Sequence, residues 1–294
     1  MKFGRSIARI AAPALLADAP PRAAGEREFT VLTALARAIP PVPGAGRVCN
    51  AIARFYLRRP RGVHQVRALG VEFLVDPADS MTQRELAFMP QLHERAELSV
   101  LRKVLTPGAT FVDAGAHVGT YAILASKLVG PTGRVCALEA YAPTFRRLQE
   151  NLALNGAGNV SARCIGVSDR TETLCMQTNP SNSAGNRLAS GGGPPVQCRA
   201  LGDILTELGF GALTALKLDV EGLERRVVAG YFATVPMVRW PQYVFVETNA
   251  IKDIDGSAVP VLQGYGYVVM RRSNLCHILQ RAPRGDTVVR LTTP

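Results

Sequence analysis

Two hydrophobic periods alternate along the chain. Between residues 110 and 250, strand-length apolar runs recur: "TFVDAG", "RVCALEA", "NVSARCIGVS", "ALTALKLDV" and "QYVFVET". Segments with helical spacing separate them: "VGTYAILASKL", "APTFRRLQENLALNG" and "LERRVVAG". Strands alternating with helices predict an α/β fold, a parallel sheet covered on both faces. Pro143 and Gly156 bracket the second of these helices, one near its first turn and one just past its end. "YGYVVMRR" and "LCHILQR", joined by Ser273 and Asn274, read as a closing pair that makes the sheet mixed. Upstream, "GVEFLVDP" (70–77) reads as a strand, and "RAELSVLRKVL" (95–105) as a helix that stops at Pro107 and Gly108. Residues 1 to about 60 mix short helical patterns with proline punctuation. The expected organisation is a helical N-terminal extension over residues 1–68 and one α/β domain over 69–294. "TNPSNSAGNRLASGGGPP" (178–195) falls outside the pattern, as a long loop of the kind that covers a site or stays disordered.

Composition narrows the class. At 294 residues and 47% hydrophobic, the chain can bury a full core. No apolar run reaches the ~18 residues of a membrane span. The start, "MKFGRSIARIAAPALLADAP", has basic residues before a short apolar stretch. Pro13 and Asp18 interrupt that stretch, so it reads as an amphipathic helix rather than a cleaved signal. The six cysteines lack metal-site spacing and read as reduced, buried side chains of a cytoplasmic protein. The net charge of +11 is mostly arginine, concentrated in "ARFYLRRPRGVHQVR" (53–67). A solvated basic face explains this most simply; an anionic acceptor is the functional alternative. No nucleic-acid-binding pattern is present.

The turn in "TFVDAGAHVGTYAI" (110–123) carries the candidate chemistry. In an open α/β sheet, ligands bind beyond the carboxyl ends of the strands. Gly115 is followed by Ala116, His117, Val118 and Gly119, so the second glycine of a dinucleotide fingerprint is missing, and no G-K-[ST] follows. Asp113 puts an anion where a pyrophosphate would be repelled and a cationic ligand attracted. The next strand ends at Glu139 and Ala140, where a carboxylate can accept hydrogen bonds from ribose hydroxyls. The third runs into Ser168 and Asp169, and Asp169 is placed to accept an adenine amine. Acids at three successive strand tips describe S-adenosyl-L-methionine better than a nicotinamide dinucleotide.

"FVDAGAHVG", "ALEAYAPTFRRLQENLALNG" and "ALKLDVEGLERRVVAG" together resemble the FkbM-type S-adenosylmethionine-dependent methyltransferases, over roughly residues 85 to 272. The resemblance implies a class I domain: a Rossmann-like, doubly wound, mixed seven-stranded sheet with an antiparallel last strand. It implies O-methylation of a hydroxyl on a sugar, glycolipid or secondary metabolite. The family often has Asn where this chain has His117, and an acid where it has Gly202 in "ALGDIL". The rival functions are a nicotinamide oxidoreductase and a non-catalytic cofactor-binding module.

Methyl transfer to a hydroxyl needs the nucleophile held against the methyl carbon and its proton removed. In "LKLDVEG", Lys217 and Asp219 are two apart and share one face of a strand, so Asp219 is the expected partner of a lysine that burial would otherwise penalise. Asp219 is the expected functional acid, and Glu221 a base or an N-terminal helix acid. Glu247 and Asn249 end the fifth strand. With Asp219 they resemble the oxygen groups of magnesium-dependent catechol-type enzymes, although no metal is assigned. His117 reads as a structural histidine, and nothing marks His64, His93 or His277 as catalytic. The acceptor is expected to be a small molecule or glycan, bound by the N-terminal extension and the 178–195 loop.

Overall fold

The computed structural model describes residues 26–58, 62–248, 257–273 and 276–282. The first twenty residues and Asn249 therefore lie outside the described residues. Helices α1 (Glu26–Arg37) and α2 (Ala45–Tyr56) precede a hairpin of β1 (His64–Ala68) and β2 (Val71–Val75). Helices α3 (Met81–Phe88) and α4 (Arg95–Val104) follow. The alternating part runs β3 (Thr110–Ala114), α5 (Thr120–Val129), β4 (Arg134–Glu139), α6 (Ala142–Leu154) and β5 (Val160–Cys164). Four short strands come next: β6 (Gly166–Ser168), β7 (Glu172–Gln177), β8 (Arg187–Ala189) and β9 (Pro195–Ala200). The chain then continues through α7 (Leu201–Glu207), β10 (Ala215–Leu218), α8 (Glu224–Thr234), β11 (Tyr243–Glu247), α9 (Ala258–Gly264), β12 (Tyr267–Arg272) and β13 (Cys276–Arg281).

Seven strands form the central sheet in the order β12-β13-β11-β10-β3-β4-β5. β11, β10, β3, β4 and β5 are parallel neighbours, and β13 runs antiparallel to both β11 and β12. This is the doubly wound, mixed seven-stranded sheet with a reversed last strand. The strand period of two divides the core between its faces. Phe111, Val135, Ala137 and Phe245 pack on one face with α1 to α6. Val112, Ala114, Leu138, Leu216 and Leu218 pack on the other with α7 to α9. Strand order reverses between β3 and β10, which opens a crevice at the carboxyl ends of these strands.

Two regions depart from the expectation. "NVSARCIGVS" is two strands, not one. β5 closes the central sheet, and β6 joins a separate four-stranded sheet in the order β6-β9-β7-β8. Gly166 lies at the crossing, where a Cβ would come within 2.4 Å of Cys198 Sγ. The expected 178–195 loop contains β8, a single 3-10 turn at Ser183–Gly185 and the first residue of β9.

The boundary expected at residue 68 falls in the turn between β1 and β2. Phe29, Tyr56 and Phe88 share one apolar core with Leu98, Leu101 and Ile123. Asn151 of α6 fastens the hairpin by accepting the Leu74 N–H at 2.6 Å and donating to Val118 C=O at 2.9 Å. Of the cysteines, Cys49, Cys136 and Cys198 are buried as expected, but Cys164 is exposed at the end of the outer strand β5. No helix among the described residues is long and apolar enough to cross a membrane.

Candidate active site

The crevice holds a pocket of about 850 Å³, its open mouth included. That suits a nucleoside-sized ligand. Its floor is the β3–α5 turn. Gly115 has φ +86, a left-handed conformation that favours glycine. A Cβ at Gly115 would stand 1.8 Å from the Asp219 carbonyl oxygen, so the turn closes directly on the end of β10. The Asp219 N–H donates to Ala114 C=O at 2.9 Å, and the N–H groups of Gly115 and Ala116 both donate to Leu138 C=O at 2.9 Å. Main-chain bonds thus join the tips of β3, β4 and β10. At Gly119, φ +96, a Cβ would meet Leu148 at 2.7 Å, which lets α6 pack against the start of α5.

One end of the pocket is apolar, lined by Leu138, Ala140, Ile165, Val167 and Leu188. Glu139 borders it. Its two oxygens accept the N–H groups of His117 at 2.9 Å and Tyr141 at 2.8 Å. Burial raises its pKa to about 7, against the pull of these two N–H groups.

The other end is charged. Asp113 is 1% exposed, and neither carboxylate oxygen has a hydrogen-bond partner among the described residues. Burial raises its pKa to about 7, although the Lys217 ammonium pulls the other way. Lys217 Nζ lies 2.6 Å from Asp219 Oδ2 and 4.8 Å from the centre of the Tyr121 ring. Burial disfavours its charge, but Asp219, Asp113 and Glu94 outweigh that, so its pKa stands above the usual lysine value. The Tyr121 hydroxyl donates to Glu94. Asp219, Glu221 and Glu247 each bring a carboxylate oxygen within 4.8 Å of one another. Glu221 has φ +54, an uncommon conformation for a side-chain-bearing residue. Glu247 lines a neighbouring cavity that shares Glu94, Tyr121, Lys217 and Asp219 with the first.

Ser168 and Asp169 do not line this pocket. Because the chain leaves the central sheet at β6, Asp169 is carried toward α8. There its carboxylate pairs with Arg226 at 2.6 Å, and Arg226 also holds Glu172 at 2.7 Å. Ser168 is buried against the same pair of acids. Burial opposes ionisation of Asp169, but the Arg226 and Ser168 hydrogen bonds outweigh it and hold the pKa below its usual value. The third strand-tip acid is therefore a structural ion pair, and apolar Ile165 and Val167 take its place along the wall.

Two parts of the pocket come from segments that the motif pattern does not reach. His117 Nε2 lies 3.2 Å from Ser183 Oγ in the 3-10 turn, and that hydroxyl donates to Asp79. Ser183 N–H also donates to Asp79 C=O at 2.9 Å, and Met81 N–H donates to Asn182 Oδ1 at 3.0 Å. The 178–195 segment thus bridges over the cofactor turn to the chain just before α3. Burial lowers the His117 pKa to about 4, and its Nδ1 has no partner among the described residues. His93, passed over in the sequence, lines the charged end. His64 instead packs in the N-terminal core, stacked on Phe29 at 3.8 Å, and His277 bonds Thr248 Oγ1 at 2.7 Å.

The family model described as the Methyltransferase FkbM domain matches residues 113–269, more than half of the chain. The chain belongs to the FkbM methyltransferase family. The methyl donor of this FkbM-family methyltransferase is S-adenosyl-L-methionine, and the nicotinamide reading falls away. The residues fit that donor. Asp113 has two buried oxygens without a hydrogen-bond partner among the described residues, Glu139 stands at the second strand tip, and Leu138, Ile165 and Val167 give the lining an apolar part. A similar curated protein is "31-O-demethyl-FK506 methyltransferase FkbM" of Streptomyces tacrolimicus. It is 27% identical over 201 residues, which cover 56% of this chain and 75% of that protein. Similar solved structures include two from Methylobacillus flagellatus and Aeropyrum pernix. Methyltransferase FkbM from Methylobacillus flagellatus is 17% identical, with 69% of this chain and 55% of that one covered and a TM-score of 0.40. Aeropyrum pernix fibrillarin, in complex with S-adenosyl-L-methionine, is 14% identical, with 76% and 84% covered and a TM-score of 0.40. Neither adds to what the family match establishes.

Proposed function

We infer that this methyltransferase acts on a hydroxyl oxygen of a sugar, glycolipid or secondary metabolite. The observation that carries the reading is the pair of buried Lys217 and half-buried Asp219 at the tip of β10, fused by main-chain contacts to the Asp113–Gly115 turn. When bound, the cofactor supplies an electrophilic methyl carbon on a sulfonium. Asp113 and Glu94 would provide the negative charge that a cationic ligand needs, Glu139 would hold the ribose, and Leu138, Ile165 and Val167 would hold the base. Lys217 orients Asp219, and Asp219 orients the acceptor hydroxyl; Glu221 and Glu247 extend the acidic surface beside it. The FkbM relative named above is a methyltransferase of an O-demethylated natural product, which supports an oxygen acceptor.

The anionic acceptor suggested by the arginine content finds no counterpart here. Glu94, Asp113, Glu139, Asp219 and Glu221 line the pocket, and among the described residues no arginine does. The reading favours a neutral, hydroxyl-rich acceptor.

Two measurements test it. Calorimetry should show S-adenosylmethionine and S-adenosylhomocysteine binding to the wild type, with Glu139→Ala losing most of the affinity. Asp219→Asn should keep S-adenosylhomocysteine binding and lose roughly 100-fold or more in turnover on an alcohol acceptor. Normal turnover in Asp219→Asn would sink the assignment.

A further inference from the structure

His93 is 2% exposed and sits just before α4, on the wall of the cofactor pocket. Its Nδ1 lies 2.7 Å from Glu85 Oε2 of α3. A carboxylate only accepts, so Nδ1 carries a proton and, in the neutral ring, Nε2 keeps its lone pair. Nε2 has no hydrogen-bond partner among the described residues, and Glu94 Oε1 lies 3.9 Å from it. A buried imidazole that is oriented by a carboxylate on one nitrogen and left unpartnered on the other is the arrangement of a general base.

Three other pocket groups are worse placed for that task. Lys217 is held charged by Asp219. His117 spends Nε2 on Ser183, and burial leaves its Nδ1 only weakly basic. Asp113 sits at the floor, beside the lysine.

We propose that His93 is the general base of the transfer and that Glu85 is its positioning residue, an inference that rests on the O-methylation reading above. As the acceptor oxygen bonds the methyl carbon, the carbon–sulfur bond breaks and its electron pair stays on sulfur. The hydroxyl proton passes to His93 Nε2, and release of that proton to water restores the neutral ring. The charges that face the imidazole are Glu85 from α3, the adjoining Glu94, Lys217 from β10 and His117 from the β3–α5 turn. Burial disfavours the imidazolium, but the two glutamates outweigh it, so the ring titrates above its ordinary value.

The experiment has three arms. In the cofactor-free protein, nitrogen NMR of labelled histidine should show His93 titrating above pH 6.5 with Nε2 as the nitrogen that loses its proton. A ring that keeps one protonation state from pH 5 to 9 overturns the proposal. In the second arm, His93→Gln should bind S-adenosylhomocysteine within about twofold of wild type; a loss of tenfold or more makes His93 a cofactor ligand instead. In the third, with radiolabelled S-adenosylmethionine and a panel of glycosides and polyketide alcohols, His93→Gln should lose about 100-fold or more in turnover. Glu85→Gln should shift the acidic limb of the pH profile to lower pH, and an unmoved limb reduces Glu85 to a packing role and overturns the dyad. A wild type that binds S-adenosylhomocysteine but methylates no alcohol defeats the O-methylation reading; a silent His93 in an active wild type defeats this proposal alone.

Discussion

Asp113 and Glu139 in the pocket, and Asp169 and Glu172 beside α8, are two pairs of carboxylates near strand ends with opposite electrostatics. Asp169 and Glu172 share the Arg226 guanidinium, and both titrate below their usual values despite partial burial. Asp113 has no hydrogen-bond partner among the described residues, Glu139 has only backbone N–H groups, and burial raises both to about 7. The difference teaches how to tell a structural acid from one waiting for a ligand. A buried charge whose partner is already present contributes to the fold, whereas one left desolvated costs stability that only a bound molecule can offset.

The most effective way to break this comparison is at Asp113. Asp113→Asn keeps the side-chain volume and removes the charge. S-adenosylhomocysteine affinity should fall roughly 10- to 100-fold by calorimetry, the scale of a charge-assisted hydrogen bond. The unliganded variant should be at least as stable as wild type at pH 8. Unchanged affinity would put Asp113 among the structural acids. Arg226→Ala tests the other pair. It leaves Asp169 and Glu172 facing each other, so denaturant unfolding should register a loss of roughly 1–3 kcal/mol, with S-adenosylhomocysteine affinity within twofold of wild type. A large affinity loss would return Asp169 to the cofactor site.

The smallest effect is in the pH dependence. A carboxyl whose folded pKa is raised contributes stability that is fully present below about pH 4 and is lost as pH climbs toward 7. One whose folded pKa is depressed contributes stability present above about pH 4 and lost on acidification. Unliganded wild type should therefore lose stability between pH 5 and pH 8 through Asp113 and Glu139, and lose it again below pH 4 through Asp169 and Glu172. Asp113→Asn should flatten the first decline and leave the second. Equal slopes in both variants between pH 5 and 8 would show that Asp113 is not desolvated in solution.

What could be read in the sequence follows from where each signal resides. The turn glycines, Glu139 at the second strand tip and the Lys217–Asp219 pair are local: a strand period and a two-residue spacing suffice to place them. The position of Asp169 is not legible because "NVSARCIGVS" keeps its apolar pattern while the chain passes from one sheet to another, and period two does not say which sheet a residue joins. Its partner Arg226 is on a helix far along the chain. His93 and Ser183 reach the pocket only through tertiary packing, from segments whose own patterns describe a turn or a loop. β8 is three residues long, too short for any periodicity to declare it.

Gly115 makes the cofactor turn and the end of β10 a single mechanical part. With the Asp219 carbonyl where a side chain would otherwise stand, and the Asp219 amide tied back to Ala114, the two cannot drift apart without breaking main-chain geometry. The distance from the β3–α5 turn to the main chain of Asp219, the acid proposed to meet the acceptor, is then a property of the backbone. On the proposed reading, that backbone spacing is present before either ligand arrives.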